Sequence, residues 1–200
     1  MRIFVAALAA ILLVSCSEAP APTEKKTPAA PPMPITGRQA LQYTSGPARI
    51  WAADSQPLTV RSMNVEGVKS EPGKAGMWEV IYVSPGSSRA RTYTWSAIES
   101  ETIHKGVFAG QQESWRSGGQ QTPFLALAVK IDTPDALQAA REKSYEYLQK
   151  PGVKPPVNYL LEFTPRFPDP VWRVLWGNSV SSAEYAAIID AATGKLLGKN

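Results

Sequence analysis

Residues 170–197 read PVWRVLWGNSVSSAEYAAIIDAATGKLL. Trp172, Val174 and Trp176 alternate with Arg173 and Leu175, the period-2 pattern of a strand with one buried face. Gly177-Asn178-Ser179 is a turn signal, and residues 185–189 form a second run rich in strand-compatible side chains. Asp190, Thr193 and Gly194 then supply turn chemistry. The aspartate can accept from amides two and three residues on, and the glycine can take positive φ without a Cβ clash. Leu196-Leu197 is expected to return as a short edge strand. Met77-Trp78-Glu79-Val80-Ile81-Tyr82-Val83 matches Val171-Trp172-Arg173-Val174-Leu175-Trp176-Gly177, and Ser87-Ser88 falls on Ser181-Ser182 at the same offset.

The helical segments repeat too. Ala40, Leu41, Thr44, Ala48 and Trp51 recur at the same spacing as Ala136, Leu137, Ala140, Ser144 and Tyr147. Two segments repeating in one order favour a duplicated unit. The expected fold class is α+β: two tandem modules, each a helix packed on a three- to four-stranded antiparallel sheet. The first module is placed at residues 35–110, a polar connector at 111–123 and the second module at 124–200. Within them, residues 38–44 and 48–54 read as helix, kinked or split at Pro47. Residues 58–65, 78–83, 89–98 and 103–108 read as strands. In the second module 124–131 reads as a strand. A helix starts with Thr133 as N-cap and Pro134 at the first helical position and runs to about Gln149, followed by a strand over 157–163.

At the other end of the chain, Met1-Arg2 precedes an apolar run over residues 3–14, too short to cross a hydrocarbon core of roughly 30 Å. Residues 1–15 are therefore read as a signal peptide. Its end, Leu13-Val14-Ser15-Cys16, resembles the lipobox of bacterial lipoprotein precursors. That resemblance implies lipidation of the Cys16 sulfur, cleavage before Cys16 and acylation of the new amino terminus. Several acyl chains anchor stably where one is marginal. Ser17 stands where an aspartate would signal inner-membrane retention, so the resemblance implies the outer membrane, with the body facing the periplasm. Residues 16–34 carry six prolines and read as an extended, lipidated tether.

The arrangement of a helix and three or four antiparallel strands, closed by Asp190-Ala-Ala-Thr193-Gly194-Lys195, resembles a PepSY domain. The likeness is best over residues 131–197, while Ser96-Ala97-Ile98-Glu99 replaces the Asp-Thr-Gly hairpin in the first module. It implies an interaction module that binds or restrains a peptidase or another envelope protein.

Catalytic chemistry finds little support. His104 is the sole histidine and Cys16 the sole cysteine, excluding histidine- or cysteine-based metal clusters and an internal disulfide. No Gly-x-Ser-x-Gly or phosphate loop occurs, and the spacing of Glu79, Glu162 and Asp190 gives no sign that they meet. A net charge of +4, without a basic run longer than Lys25-Lys26, leaves no nucleic-acid footprint. No enzyme activity, metal or cofactor is expected. Trp51, Trp78, Trp172 and Trp176 fall on core positions; Trp95 and Trp115 are the candidate partner contacts. The expected function is binding of an envelope partner through a sheet edge or the groove between modules. The alternatives are a small-ligand or glycan binder using that cleft and a structural envelope lipoprotein.

Overall fold

The computed structural model describes residues 31–69, 71–149 and 156–199. Cys16, the signal peptide over residues 1–15 and the tether up to residue 30 lie outside the described residues. Residues 31–34 lead in without regular structure.

The chain begins with β1 (Ile35–Thr36), which pairs antiparallel with β3 (Lys74–Ala75). Between them lie α1 (Gly37–Trp51) and β2 (Gln56–Met63). Thr36 closes a capping box on α1. Its hydroxyl accepts from the Gln39 N–H, and the Gln39 side chain accepts from the Thr36 N–H. The helix is unbroken at Pro47. The missing donor sits on the exposed side near the C-terminus, where water can serve the freed carbonyl, so the expected split does not occur. A meander follows: β4 (Met77–Ser84), β5 (Arg89–Ser96) and β6 (Gly106–Ser114).

Residues 124–131 correct the expected strand. Phe124 and Val129 are buried, but between them lies a single 3-10 turn, Ala126–Ala128. The second helix is α2 (Thr133–Lys143), and its N-cap is Asp132, one residue before the expected Thr133. The Asp132 carboxylate takes the Thr133 N–H at 2.7 Å. The helix also stops early, at Ser144, and a single turn, α3 (Tyr145–Leu148), follows it. Then come β7 (Val157–Glu162), β8 (Val171–Gly177), β9 (Ala183–Asp190) and β10 (Leu196–Lys199).

All strands except β1 and β3 join one antiparallel sheet of eight, in the order β10-β9-β8-β7-β2-β4-β5-β6. Each half contributes four strands, and the halves meet where β2 pairs with β7 (Val60 opposite Leu161, Arg61 opposite Leu160). A single shared sheet thus replaces two separate ones. The α1 helix packs on β2, β4, β5 and β6, and α2 on β8, β9 and β10. One core runs through both halves. It includes Val60, Trp78, Val80 and Tyr82 from the first, with Leu161, Trp172, Val174 and Trp176 from the second. At the junction Trp78 meets Trp172 edge-on at 6.5 Å and Tyr159 at 6.1 Å. These rings pack across the junction of the two halves. Residues from Pro31 onward form one compact unit that encloses this core and every described strand.

Candidate functional site

The sheet ends in two dissimilar edges. At one end β10 has four residues, an irregular register against β9, and lysines at 195 and 199. Short, bulged, lysine-bearing edges resist further pairing. At the other end β6 runs nine residues, and its only charged side chain is Glu113. One side of β6 bonds to β5 (Trp95 opposite Val107, Thr94 opposite Phe108); among the described residues the other pairs with no further strand. Val107 and Phe108 are exposed at 36% and 42%. The register slips once, between Arg91 and Tyr93, where the Arg91 guanidinium donates to the Gly110 carbonyl at 2.8 Å. That bond stiffens the edge at its irregular point. Chemically, such an edge offers a ladder of backbone donors and acceptors to an extended segment.

The two tryptophans expected at a contact flank this edge. Trp95 lies on β5 beside Val107, half-buried, with Tyr43 of α1 stacked on it at 6.3 Å and 15°. Trp115 follows β6 directly, half-buried, its N–H donating to the Ser88 carbonyl at 2.9 Å. His104 is exposed in the loop before β6, stacked on Phe108 at 4.2 Å and 3.4 Å from Glu99. The strand begins at Gly106, whose φ of +76° turns the chain into it, so His104 and the expected start at Ile103 lie outside. The strand also runs through 111–114, residues expected to be connector. An edge strand of polar residues has no buried face to give it a period, so only an alternating Val107-Ala109 pair could have signalled it.

Asp190, Thr193 and Gly194 form the last hairpin turn. The Asp190 carboxylate accepts from the N–H groups of Ala192 and Thr193 at 2.8 Å each. Gly194, at φ +78°, returns its N–H to the Asp190 carbonyl. The carboxylates noted in the sequence engage neighbours of opposite charge: Glu79 meets Arg61 at 2.8 Å, and the buried Glu162 meets Arg173 at 2.7 Å.

A second feature lies beyond the end of α1. An open hollow of about 560 Å³ is lined by Trp51, Asp54, Ser84, Arg89 and Gln112. Asp54 accepts from the Ser84 hydroxyl at 2.7 Å and the Gly86 N–H at 2.8 Å. Those two bonds hold its carboxyl below the usual carboxylate range. The Trp51 indole donates to Gln112 at 3.2 Å. Among the described residues no group of three or more histidine, cysteine, aspartate or glutamate side chains is placed to hold a metal, and no helix is long and apolar enough to cross a membrane.

Comparison with family models, with curated proteins and with solved structures finds no match for this chain.

Proposed function

We propose that the chain is a lipid-anchored envelope protein that acts by binding, its body one PepSY-like unit of a helix and four strands used twice. On this reading Cys16 is acylated, residues 17–34 tether the body to the outer membrane, and the body faces the periplasm. Its partner is an envelope protein, with peptidases the first class to try, and the partner lays an extended segment along β6. The observation that carries the binding mode is the length and bareness of β6 beside the short, lysine-bearing β10. Backbone pairing would supply affinity, and alternate side chains such as Val107 and Phe108 selectivity.

A photo-crosslinking residue placed at 108, and in a second variant at 197 on the opposite edge, tests this in the living envelope. Adducts from 108 alone are expected, and Val107→Lys should remove them. Equal adducts from both edges, or none, would sink the reading. The anchor is tested apart, by the mass of the N-terminal peptide: an unmodified Cys16 thiol in the mature protein removes it.

A small-ligand or glycan reading gains support from the hollow at Trp51, which pairs an indole with Asp54, Arg89 and Gln112. Tryptophan fluorescence that changes with a saccharide in wild type and not in Asp54→Asn supports it; no change across a saccharide panel removes it.

A further inference from the structure

The 3-10 turn Ala126–Ala128 holds two leucines out into solvent, Leu125 at 64% exposure and Leu127 at 88%. The stretch is pinned at both ends and cannot roll them inward. Phe124 is in the core with its N–H on the Pro57 carbonyl, and Lys130 and Ile131 both donate to the Ala191 carbonyl at 2.9 Å. The turn lies along α1, with a hollow of about 360 Å³ reaching Arg38 on one side and one of about 100 Å³ reaching Arg49 on the other.

The charges around these leucines are mostly positive. Arg38, Arg49 and Lys130 are all exposed, and the fifteen residues of α1 contain no carboxylate. The acid that lines the same hollow, Asp132, has its carboxylate turned to the chain's own donors. Its oxygens accept from the Thr36 hydroxyl at 2.6 Å and from the N–H groups of Arg38 and Thr133. The α2 helix, by contrast, carries Asp135 and Glu142. Single exposed leucines are ordinary on a protein surface. Two on one pinned turn, ringed by three cations, have the make-up of an interfacial contact: apolar residues entering the headgroup boundary, basic residues at the phosphates.

We infer that this face rests on an anionic lipid bilayer, with Leu125 and Leu127 inserted and Arg38, Arg49 and Lys130 against the headgroups. The inference goes beyond the β6 edge and does not depend on it.

The chain from residue 16 onward with Cys16→Ala carries no acyl chain, so any lipid binding it shows is its own. Co-sedimentation with phosphatidylglycerol–phosphatidylcholine vesicles is expected to exceed that with phosphatidylcholine alone and to weaken with salt. Leu125→Asp with Leu127→Asp should lower it about tenfold or more, given the apolar area withdrawn from the interface. Arg38→Glu with Arg49→Glu should lower it comparably, and Phe108→Asp on the β6 edge should leave it unchanged. All of these side chains are exposed, and circular dichroism checks each fold. No preference for anionic vesicles, or binding untouched by the leucine substitutions, overturns the inference. A dimer that dissolves on Leu127→Asp, without vesicle binding, also overturns it and makes the face a contact between copies.

Discussion

In the first half Trp78 sends its indole N–H to the Ile35 carbonyl; in the second Trp172 sends its own to Ile131, each at 2.9 Å. The N–H of Ala97 bonds the Gly76 carbonyl as that of Ala191 bonds Pro170, again 2.9 Å apiece. Ser62 faces Trp78 and Leu161 faces Trp172, and one step along the strands Arg61 and Leu160 face each other. Corresponding residues thus join the halves. Where the halves differ, space or solvent is the cause. A Cβ on Gly37 would lie 2.4 Å from the Trp172 ring and 3.0 Å from the Thr133 methyl. Thr133 holds the corresponding place in α2, and at the junction there is room for one such side chain. Away from the junction the edges, the helix charges and the turns diverge freely.

The sharpest way to break the comparison is at the tryptophans, both fully buried. Trp78→Ala and Trp172→Ala should each cost about 3–5 kcal/mol. Their edge-on contact adds a coupling of about 0.5–1.5 kcal/mol, visible in a double-mutant cycle by urea unfolding. Equal losses are expected from the two. A loss several-fold smaller at one site would mean that half contributes much less to the core.

Each half also buries one tyrosine whose phenol is pushed up to about 12 by burial: Tyr82 in the first, Tyr159 in the second. Both sit above the ordinary value of 10.0, so the folded state keeps protons that the unfolded chain gives up. The associated stability is whole below pH 10 and is lost as pH rises toward 12, about 2–3 kcal/mol for each ring. Urea midpoints measured across that window should fall, and Tyr82→Phe should shallow the fall by about half. Tyr82 bonds Thr44 and the Leu41 carbonyl, while Tyr159 accepts from the Gly73 N–H, so a phenylalanine at 159 strands a buried donor and is the poorer probe.

Asp132 tests how far the halves depend on each other. It caps α2, and it also takes the Thr36 hydroxyl and the Arg38 N–H at the start of α1. One carboxylate therefore stands at the positive ends of two helices. Asp132→Ala should cost about 2–3 kcal/mol, the sum expected of two lost caps, where Thr36→Ala costs about 1. Thermal unfolding decides: equal losses would mean that Asp132 serves its own helix alone.

The α+β class and the repeated tryptophan strands were legible because alternation marks a buried face, and Ala40, Leu41, Thr44 and Ala48 with their counterparts in α2 are all buried. The joining of the halves was not. The β2–β7 pairing is made by backbone groups that carry no sequence label. The apolar run over 124–131 misled for a related reason: hydrophobicity predicts burial only where a partner surface exists, and among the described residues nothing covers Leu125 and Leu127. The first half's missing Asp-Thr-Gly pattern misled in the opposite sense. Ser96 stands opposite Met77 as Asp190 stands opposite Val171, and its hydroxyl accepts from the Ile98 N–H two residues on, as Asp190 does from Ala192. That an edge strand follows β5 was legible from residues 103–108, while its polar residues 111–114 were not.

The smallest effect is the most telling about that correspondence. Ser144 occupies the place that Ala48 holds in α1, and both are buried. Its hydroxyl oxygen finds no hydrogen-bond partner among the described residues, whereas Ala48 asks for none. The helix also breaks at Ser144 and runs on at Ala48. Burying an unpaired hydroxyl costs about 1–3 kcal/mol, and alanine is the better helix former. Ser144→Ala should therefore raise stability by about 1 kcal/mol, shifting the urea midpoint upward at constant slope. A drop instead would mean that the hydroxyl is paired in solution and that the second helix needs its break, so the two helices would share a face without sharing a design.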